Sequence, residues 1–493
     1  MNGFTSRSPG SALSRRAFLQ RTGAGAASML LPAATRARAA STRPPNILLI
    51  LLDDLGKEWV GCCGGEGIET PHIDALAAGG MRFTNAYAMP KCTPTRTTLL
   101  TGQYPFRHGW VDHWDVPRWG CGCHFDPKHY TTFAQVMKSA GYATAAAGKW
   151  QINDFRVQPD VMERHGFDDY CMWTGYETGN PPSAERYWNP YLNTKEGSRT
   201  YTGRFGGDVF TDFLIDFMRQ NKDRPMMLYY PMCLTHGPFV TTPREPDAKT
   251  KLEKHKAMVH YADHLLGRLL AAMDELHIRE DTLVFWTTDN GSSGALTGRL
   301  HGRDVRGGKG TLRESGVNMP FIVNGPGRVP AGVVTDALTD FSDLLPTFAA
   351  LGGATLSENV PRDGHSIAEV LLGKTQTGPR SWIMAMGGGT ARLEDGAVHP
   401  AADFADRVVR DTRYKLWVEK GRPTGLFDLA KDPGEKANLL DHPEPEAVAA
   451  RERLEAIARE FPKKDAAPQY DPLPPQPWDT DPGKPAKRKE AKK

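Results

Sequence analysis

Two seven-residue segments built on unbroken apolar runs, NILLILL at 46–52 and TLVFWTT at 282–288, leave this chain few folds to adopt. Neither run alternates with polar residues, so a strand built from either must be buried on both faces. That requires a covering layer on each side of a sheet, the arrangement of α/β proteins with parallel strands. Both runs break off at oxygen-bearing side chains: Asp53-Asp54 after the first and Asp289-Asn290 after the second. Further strands are predicted at 142–147, 225–230 and 320–323, among helices predicted at 132–140 and 255–276. The longer helix spaces Met258, Tyr261, Leu265, Leu269 and Met273 close to the helical period. Thr70-Pro71 reads as a cap and first helical residue, followed by the stripe Ile73, Leu76, Ala77. The 50 glycines and 38 prolines speak against a long-helix bundle.

The ends of the chain differ in character from its body. Ser14-Arg15-Arg16-Ala17-Phe18-Leu19-Gln20 opens a small-residue and apolar stretch that ends at Ala37-Arg38-Ala39. This order resembles a twin-arginine export signal over residues 1–40, with export machinery as partner and a periplasmic or secreted destination. The main α/β domain is expected at 44–380. Beyond it, strands at 413–418 and 425–429 and a helix at 443–461 suggest a smaller α+β unit over 381–462. Residues 463–493, basic and rich in proline, are expected to be disordered. Removing six N-terminal arginines takes the net charge from +3 to −3, which excludes a nucleic-acid-coating role. No apolar run reaches the ~18–20 residues that span a membrane. Export permits disulfides among the seven cysteines, with Cys62-Cys63 and Cys121/Cys123 as close pairs, but the spacing gives no connectivity.

In open α/β sheets the ligand site lies beyond the carboxyl ends of the strands. Asp53, Asp54, Asp289 and Asn290 are all expected there. Three carboxylates and one amide form a hard oxygen set suited to Ca²⁺ or Mg²⁺, and without a cation they would repel. Pro94 suits the first turn of a helix, which would place Cys92 at that helix's N-terminus, where backbone N–H groups favour an anion. Arg96 adds a fixed positive charge in the same turn.

Cys92-x-Pro94-x-Arg96 followed by TLLTGQYP resembles the signature of the type I sulfatases of the alkaline-phosphatase superfamily. The likeness extends over about 44–440, through ILLILLDDLG, GKW at 148–150, THGPF at 235–239, TTDNG at 287–291, GGKGTLRESG at 307–316 and GLFDLAKDPGEKANL at 425–439. It implies a doubly wound mixed sheet flanked by helices, with the C-terminal α+β unit completing the cleft. It also implies that Cys92 is oxidised to Cα-formylglycine by a maturation enzyme and joins Asp53, Asp54, Asp289 and Asn290 around the metal, usually Ca²⁺. Arg96 and Lys149 would hold the aldehyde hydrate, Lys309 would neutralise sulfate oxygens, and His236 would protonate the leaving group. The implied reaction cleaves a sulfate ester to an alcohol and sulfate. A phosphonate or phosphate ester hydrolase sharing the machinery and a non-catalytic glycan-binding relic are the alternatives.

One position departs from the family. Two residues after Lys149, where the family has a histidine that removes the hydrate proton, this chain has Gln151, which cannot act as a base at neutral pH. Three readings follow: another group such as His108, His113 or His165 fills the role, the oxyanion leaves without a dedicated base, or the site is slow; retained activity is expected, since the nucleophile, both lysines and all metal positions are present. Trp110, Trp114, Trp119, Tyr187 and Trp188 could stack on sugar rings, in the irregular stretches 110–129 and 176–206 that are expected to wall the pocket. His260 and His264 have a zinc-compatible spacing but no further ligand motif, and read as packed or solvated. Lys487-Arg488-Lys489 reads as a solubilising terminus.

Overall fold

The computed structural model describes residues 43–480. Its largest sheet has ten strands: β1 (Asn46–Leu52), β2 (Met81–Phe83), β3 (Ala143–Lys149), β4 (Asp169–Trp173), β5 (Tyr191–Thr194), β6 (Gly197–Thr200), β7 (Met226–Pro231), β8 (Thr282–Thr288), β9 (Phe321–Asn324) and β10 (Val333–Thr335). They lie side by side in the order β10-β2-β9-β8-β1-β7-β3-β4-β5-β6. The central strands β8, β1, β7, β3 and β4 run parallel. β9 pairs antiparallel with β8, because the 289–320 connection returns at the end where β8 stops and does not cross the sheet. The antiparallel β5–β6 pair closes the other edge. The whole sheet is therefore mixed: parallel through its centre and again in the outer β10–β2 pair, antiparallel elsewhere.

Six helices sandwich this sheet: α1 (Pro71–Ala78), α2 (Cys92–Thr101), α3 (Phe133–Ser139), α4 (Gly206–Asn221), α5 (Lys251–Glu275) and α6 (Leu344–Gly352). β1 shows why its sequence lacks alternation. Ile47, Leu49 and Leu51 pack into one core with Leu99 of α2, Phe133 of α3 and Phe348 of α6. Leu48, Ile50 and Leu52 pack into the other with Ile73 of α1, Leu214 of α4 and Leu265 of α5. Each of these side chains is worth roughly 1.5–3 kcal/mol of apolar burial. α5 begins a turn earlier than its apolar stripe predicts, because Thr250 and Glu253 form a reciprocal capping box ahead of the stripe. Among the described residues no helix is long and apolar enough to cross a membrane.

A second, four-stranded antiparallel sheet consists of β11 (Ile383–Met386), β12 (Arg407–Arg410), β13 (Tyr414–Glu419) and β14 (Arg422–Asp428), with α7 (Pro445–Arg459) packed on it. The chain after α7 corrects one expectation. Residues 463–480 are not a disordered tail; they form an extended strap along the 106–126 loops. Ala466 N–H donates to Phe106 O, Asp471 N–H to Asp126 Oδ2 and Leu473 N–H to Gly122 O. Trp478 lies against the Arg156 guanidinium, 4.3 Å from its ring centre. Composition pointed to disorder because prolines cannot join ladders, but a strap needs only scattered hydrogen bonds to a surface that already exists. The twin-arginine segment and Lys487-Arg488-Lys489 lie outside the described residues. Cys62, Cys63, Cys92, Cys123, Cys171 and Cys233 are unbridged thiols.

Candidate metal and nucleophile site

The carboxyl ends of the parallel strands bring the candidate residues together. Asp53 and Asp54 follow β1, Asp289 and Asn290 follow β8, Lys149 is the last residue of β3, and His236 lies just past β7. Cys92 is the first residue of α2, a helix buried along its whole length. The Lys91 side chain does not cap it; instead Thr95 Oγ1 lies 2.7 Å from the Asp289 carbonyl oxygen and ties the first turn to the end of β8. Gly102, at φ 68°, ends the helix in the left-handed conformation that glycine adopts without a Cβ penalty. Pro94 sits inside the first turn, as its fixed φ favours.

Acids and bases alternate through the cluster. Lys149 Nζ is 2.6 Å from Asp53 Oδ2, Lys309 Nζ is 2.7 Å from Asp54 Oδ2, and Arg96 Nη2 is 2.7 Å from Asp289 Oδ2. Asn290 Nδ2 donates to Asp54 Oδ1 at 2.8 Å, and the Asp54 N–H donates to Asp289 Oδ1 at 3.1 Å. His236 Nε2 is 3.7 Å from Asp54 Oδ2. Burial, reinforced by the charge of Asp53, pushes the Asp289 carboxyl well above its ordinary range. Asp53 goes the other way: against the same burial, Lys149 and its cationic neighbours hold it well down. Burial takes His236 down to about 4, against the pull of Asp54.

Two oxygens in this cluster, Asp53 Oδ1 and Asn290 Oδ1, are buried without a hydrogen-bond partner. Such acceptors are costly unless something satisfies them. Asp53, Asp54 and His236 also present donor atoms within 4.8 Å of one another. Hard oxygens and orphaned acceptors fit a divalent cation of the Ca²⁺ or Mg²⁺ type.

Residue 92 faces a different neighbour. Cys92 Sγ lies 3.8 Å from His113 Nδ1, and Thr93 Oγ1 lies 3.0 Å from the same nitrogen. Burial lowers His113 to about 4, against the charge of Asp115. Gln151, at φ 68°, turns its amide away and donates from Nε2 to Asp115 Oδ2 at 3.1 Å. The other two histidines weighed for the missing base are occupied elsewhere. His108 Nε2 meets Thr98 Oγ1 at 3.1 Å and His165 Nε2 meets the Phe125 carbonyl at 3.0 Å.

The pocket-wall reading of the aromatics is largely overturned. Trp110 and Trp114 are fully buried core residues, with ring contacts to Phe125 and Trp119 respectively. Tyr187 is buried and donates to the Cys233 carbonyl at 2.7 Å. Trp188 remains exposed, and Trp119 is half-buried against His113. His260 pairs with Glu245 and His264 with Arg244, so the two share no ligand. One residue that sequence reasoning missed is Arg186, which contacts His236. Nothing local marks it, since it is one arginine in a long irregular segment.

Comparison with known proteins places these groups in context. The family described as Sulfatase matches residues 45–354. Arylsulfatase A of Bos taurus is 32% identical, over 90% of this chain and 92% of its own length. N-acetylgalactosamine-6-sulfatase of Canis lupus familiaris is 32% identical, over 70% and 69% respectively. Among solved structures, Ps i-CgsB in complex with k-i-k-neocarrahexaose superposes with a TM-score of 0.71 at 25% identity, covering 87% of this chain and 95% of its own.

Proposed function

Because the chain belongs to the sulfatase family and is a sulfuric ester hydrolase of alkaline-phosphatase-like fold, we propose that it is an exported carbohydrate sulfatase with a formylglycine at position 92. The observation that carries this reading is the position of residue 92. It opens a buried helix whose next turn supplies Arg96, beside an acid cluster already threaded by Lys149 and Lys309. Oxidised to formylglycine by a maturation enzyme, residue 92 would supply a hydrated aldehyde, with one hydroxyl to attack sulfur and a second to expel sulfate by collapse to the carbonyl. Cys92 Sγ stands where that carbon's oxygens would be.

Asp53, Asp54, Asp289 and Asn290, with residue 92, would hold a divalent cation, Ca²⁺ or Mg²⁺, which when bound supplies Lewis-acid stabilisation of negative charge. The chain's own groups divide the remaining work. Arg96 and Lys149 keep positive charge beneath residue 92. Lys309, part-exposed at the mouth, meets the sulfate oxygens as their charge grows. His236 presents Nε2 to the ester oxygen and protonates the departing alcohol. His113, the imidazole in contact with residue 92, accepts the proton released on sulfate expulsion, the role that Gln151 cannot fill.

Two observations support a sugar as the alcohol: the carbohydrate sulfatases among the relatives and the exposed Trp188 beside the site segment. The likeness of residues 1–40 to a twin-arginine signal supports export by that machinery. The test is hydrolysis of 4-nitrophenyl sulfate and of paired sulfated and desulfated glycans, with mass spectrometry of residue 92. Sulfate release tied to the aldehyde and abolished in Cys92→Ala is expected. An unaltered thiol in fully active protein would refute the nucleophile, and a preference for an aryl phosphonate monoester would move the chain to the related ester hydrolases.

A further inference from the structure

Lys309, whose Nζ is 2.7 Å from Asp54 Oδ2, also stands in the wall of a cavity of about 1190 Å³. A pocket for a drug-sized ligand takes roughly 300–1,000 Å³, so this one has room for far more than a sulfate group. One wall is the hairpin of Thr297–Leu300 and Arg303–Arg306, which runs on into the Lys309 loop. Another is the 429–436 turn that follows β14. The cavity therefore lies where the C-terminal sheet meets the loop bearing Lys309.

Its charge is one-sided. Lys57, Arg303, Arg306, Arg313 and Lys436 line it, and among the described residues none of the five pairs with a carboxylate. Those with polar contacts reach neutral oxygens: Lys57 Nζ donates to the Thr84 carbonyl and Asn318 Oδ1, Arg306 to the Gly294 carbonyl and Arg313 to the Gly434 carbonyl. The acids of the wall are mostly spent. Glu314 lies 3.0 Å from both Arg410 and Lys415, Glu435 lies 2.9 Å from Lys415, and Asp304 lies 3.3 Å from Arg299. Burial pushes Glu58 up to about 7. Among the described residues that leaves Asp336 as the exposed acid of the wall without an ion pair. This excess of positive charge sits on a chain whose net charge of +3 becomes −3 without its six N-terminal arginines. A cleft lined by one sign of charge focuses its field on a ligand of the other sign.

We propose that this cleft is a second anion subsite, which holds sulfate or carboxylate groups on sugar units beyond the one being desulfated. The substrate is then a polyanionic glycan chain and not a singly sulfated sugar. This rests on the sulfatase reading above. Lys309 belongs to the acid cluster and to the cleft alike, so a sulfate ester seated against it sends the adjoining units along a wall of uncompensated cations. The arginines suit such groups, because a guanidinium fork meets two oxygens of a sulfate or carboxylate at once.

The test uses the full-length protein and labelled dextran sulfate, with uncharged dextran and a DNA duplex for comparison. Arg303→Gln/Arg313→Gln/Lys436→Gln removes three exposed cations that hold no carboxylate. Its Kd for dextran sulfate should rise about 30-fold, at about threefold for each exposed charge. Its kcat/KM for 4-nitrophenyl sulfate should not change, because that ester carries no second anion. Dextran sulfate should compete with 4-nitrophenyl sulfate in the wild type, and its inhibition constant should rise in the variant in step with Kd. Arg219→Gln/Lys222→Gln/Arg224→Gln makes the same charge change just ahead of β7, at the opposite ends of the strands, and should bind dextran sulfate as the wild type does. Equal weakening in both triple variants, or none in the first, would overturn the subsite. Binding that leaves KM for 4-nitrophenyl sulfate untouched would overturn its continuity with the Lys309 mouth, and tighter binding of the DNA duplex would overturn the glycan. Protein that hydrolyses no sulfate ester, yet loses dextran sulfate binding in the first variant alone, would count against the functional reading and leave the polyanion cleft standing. Normal hydrolysis without dextran sulfate binding would do the reverse.

Discussion

Arg407 and Asp465 form a salt bridge in which neither side chain is exposed. Asp465 begins the strap and Arg407 opens β12. Arg407 Nη2 lies 2.7 and 2.9 Å from the two carboxylate oxygens, and Asp465 Oδ2 also accepts the Ala405 N–H at 2.7 Å. The guanidinium rests 3.6 Å above the centre of the Phe404 ring, and its Nη1 already lacks a partner. Asp465→Ala would strand this cation in a dry site. Breaking a buried pair from one side costs about 3–5 kcal/mol, because the remaining charge is left without compensation. At ~2.1 cal/mol/K per residue over the roughly 440 described residues, the unfolding entropy is about 0.9 kcal/mol/K, so Tm should fall by about 4 °C. The apolar double variant Arg407→Met/Asp465→Leu removes both charges and should recover most of that loss. Scanning calorimetry at fixed Ca²⁺ measures the shift, and limited proteolysis shows whether the strap comes loose. A single variant within 1 °C of wild type, or a double variant no better than the single, would refute the reasoning.

Three further outcomes are expected. His113→Ala should slow sulfate release well beyond its effect on ester cleavage in single-turnover experiments, whereas Gln151→His should change neither step; equal slowing of both by His113→Ala would remove it from the proton path. Burial holds His108 and His165 at about 3, below the ~6.5 of an unfolded histidine, so the unfolded chain takes up their protons first. Their contribution is therefore complete above about pH 6.5 and is lost as pH falls toward 3, by about 1.4 kcal/mol per histidine per pH unit. Chemical denaturation should show this slope, reduced by one histidine's share in His165→Gln, where the amide can still donate to Phe125 O; an unchanged slope would contradict it. Chelation should abolish activity and lower Tm, both restored by Ca²⁺, with about 2.7 kcal/mol recovered at 100 times the dissociation constant. A Tm indifferent to Ca²⁺ and Mg²⁺ would argue against the acid cluster as a cation site.

What could be read in the chain follows from the range of the interactions involved. NILLILL announces a strand covered on both faces because side-chain alternation and burial are properties of neighbouring residues. Thr70-Pro71 and Pro94 announce helix starts for the same reason, and Asp53-Asp54 and Asp289-Asn290 mark strand ends that a parallel sheet must gather at one edge. Sequence alone therefore determined the layered α/β class, the acid cluster and residue 92 at a helix start. Tertiary structure alone decided that β9 runs back against β8, that Trp110 and Trp114 are core and not sugar platforms, and that 463–480 is a strap. It also set His113 against residue 92 and brought Arg186 onto His236. Each of these depends on contacts between segments far apart in the chain, made by irregular loops whose side-chain directions no local periodicity encodes. A loop residue's role is set by the surface it lands on, and that surface exists only once the sheet has formed.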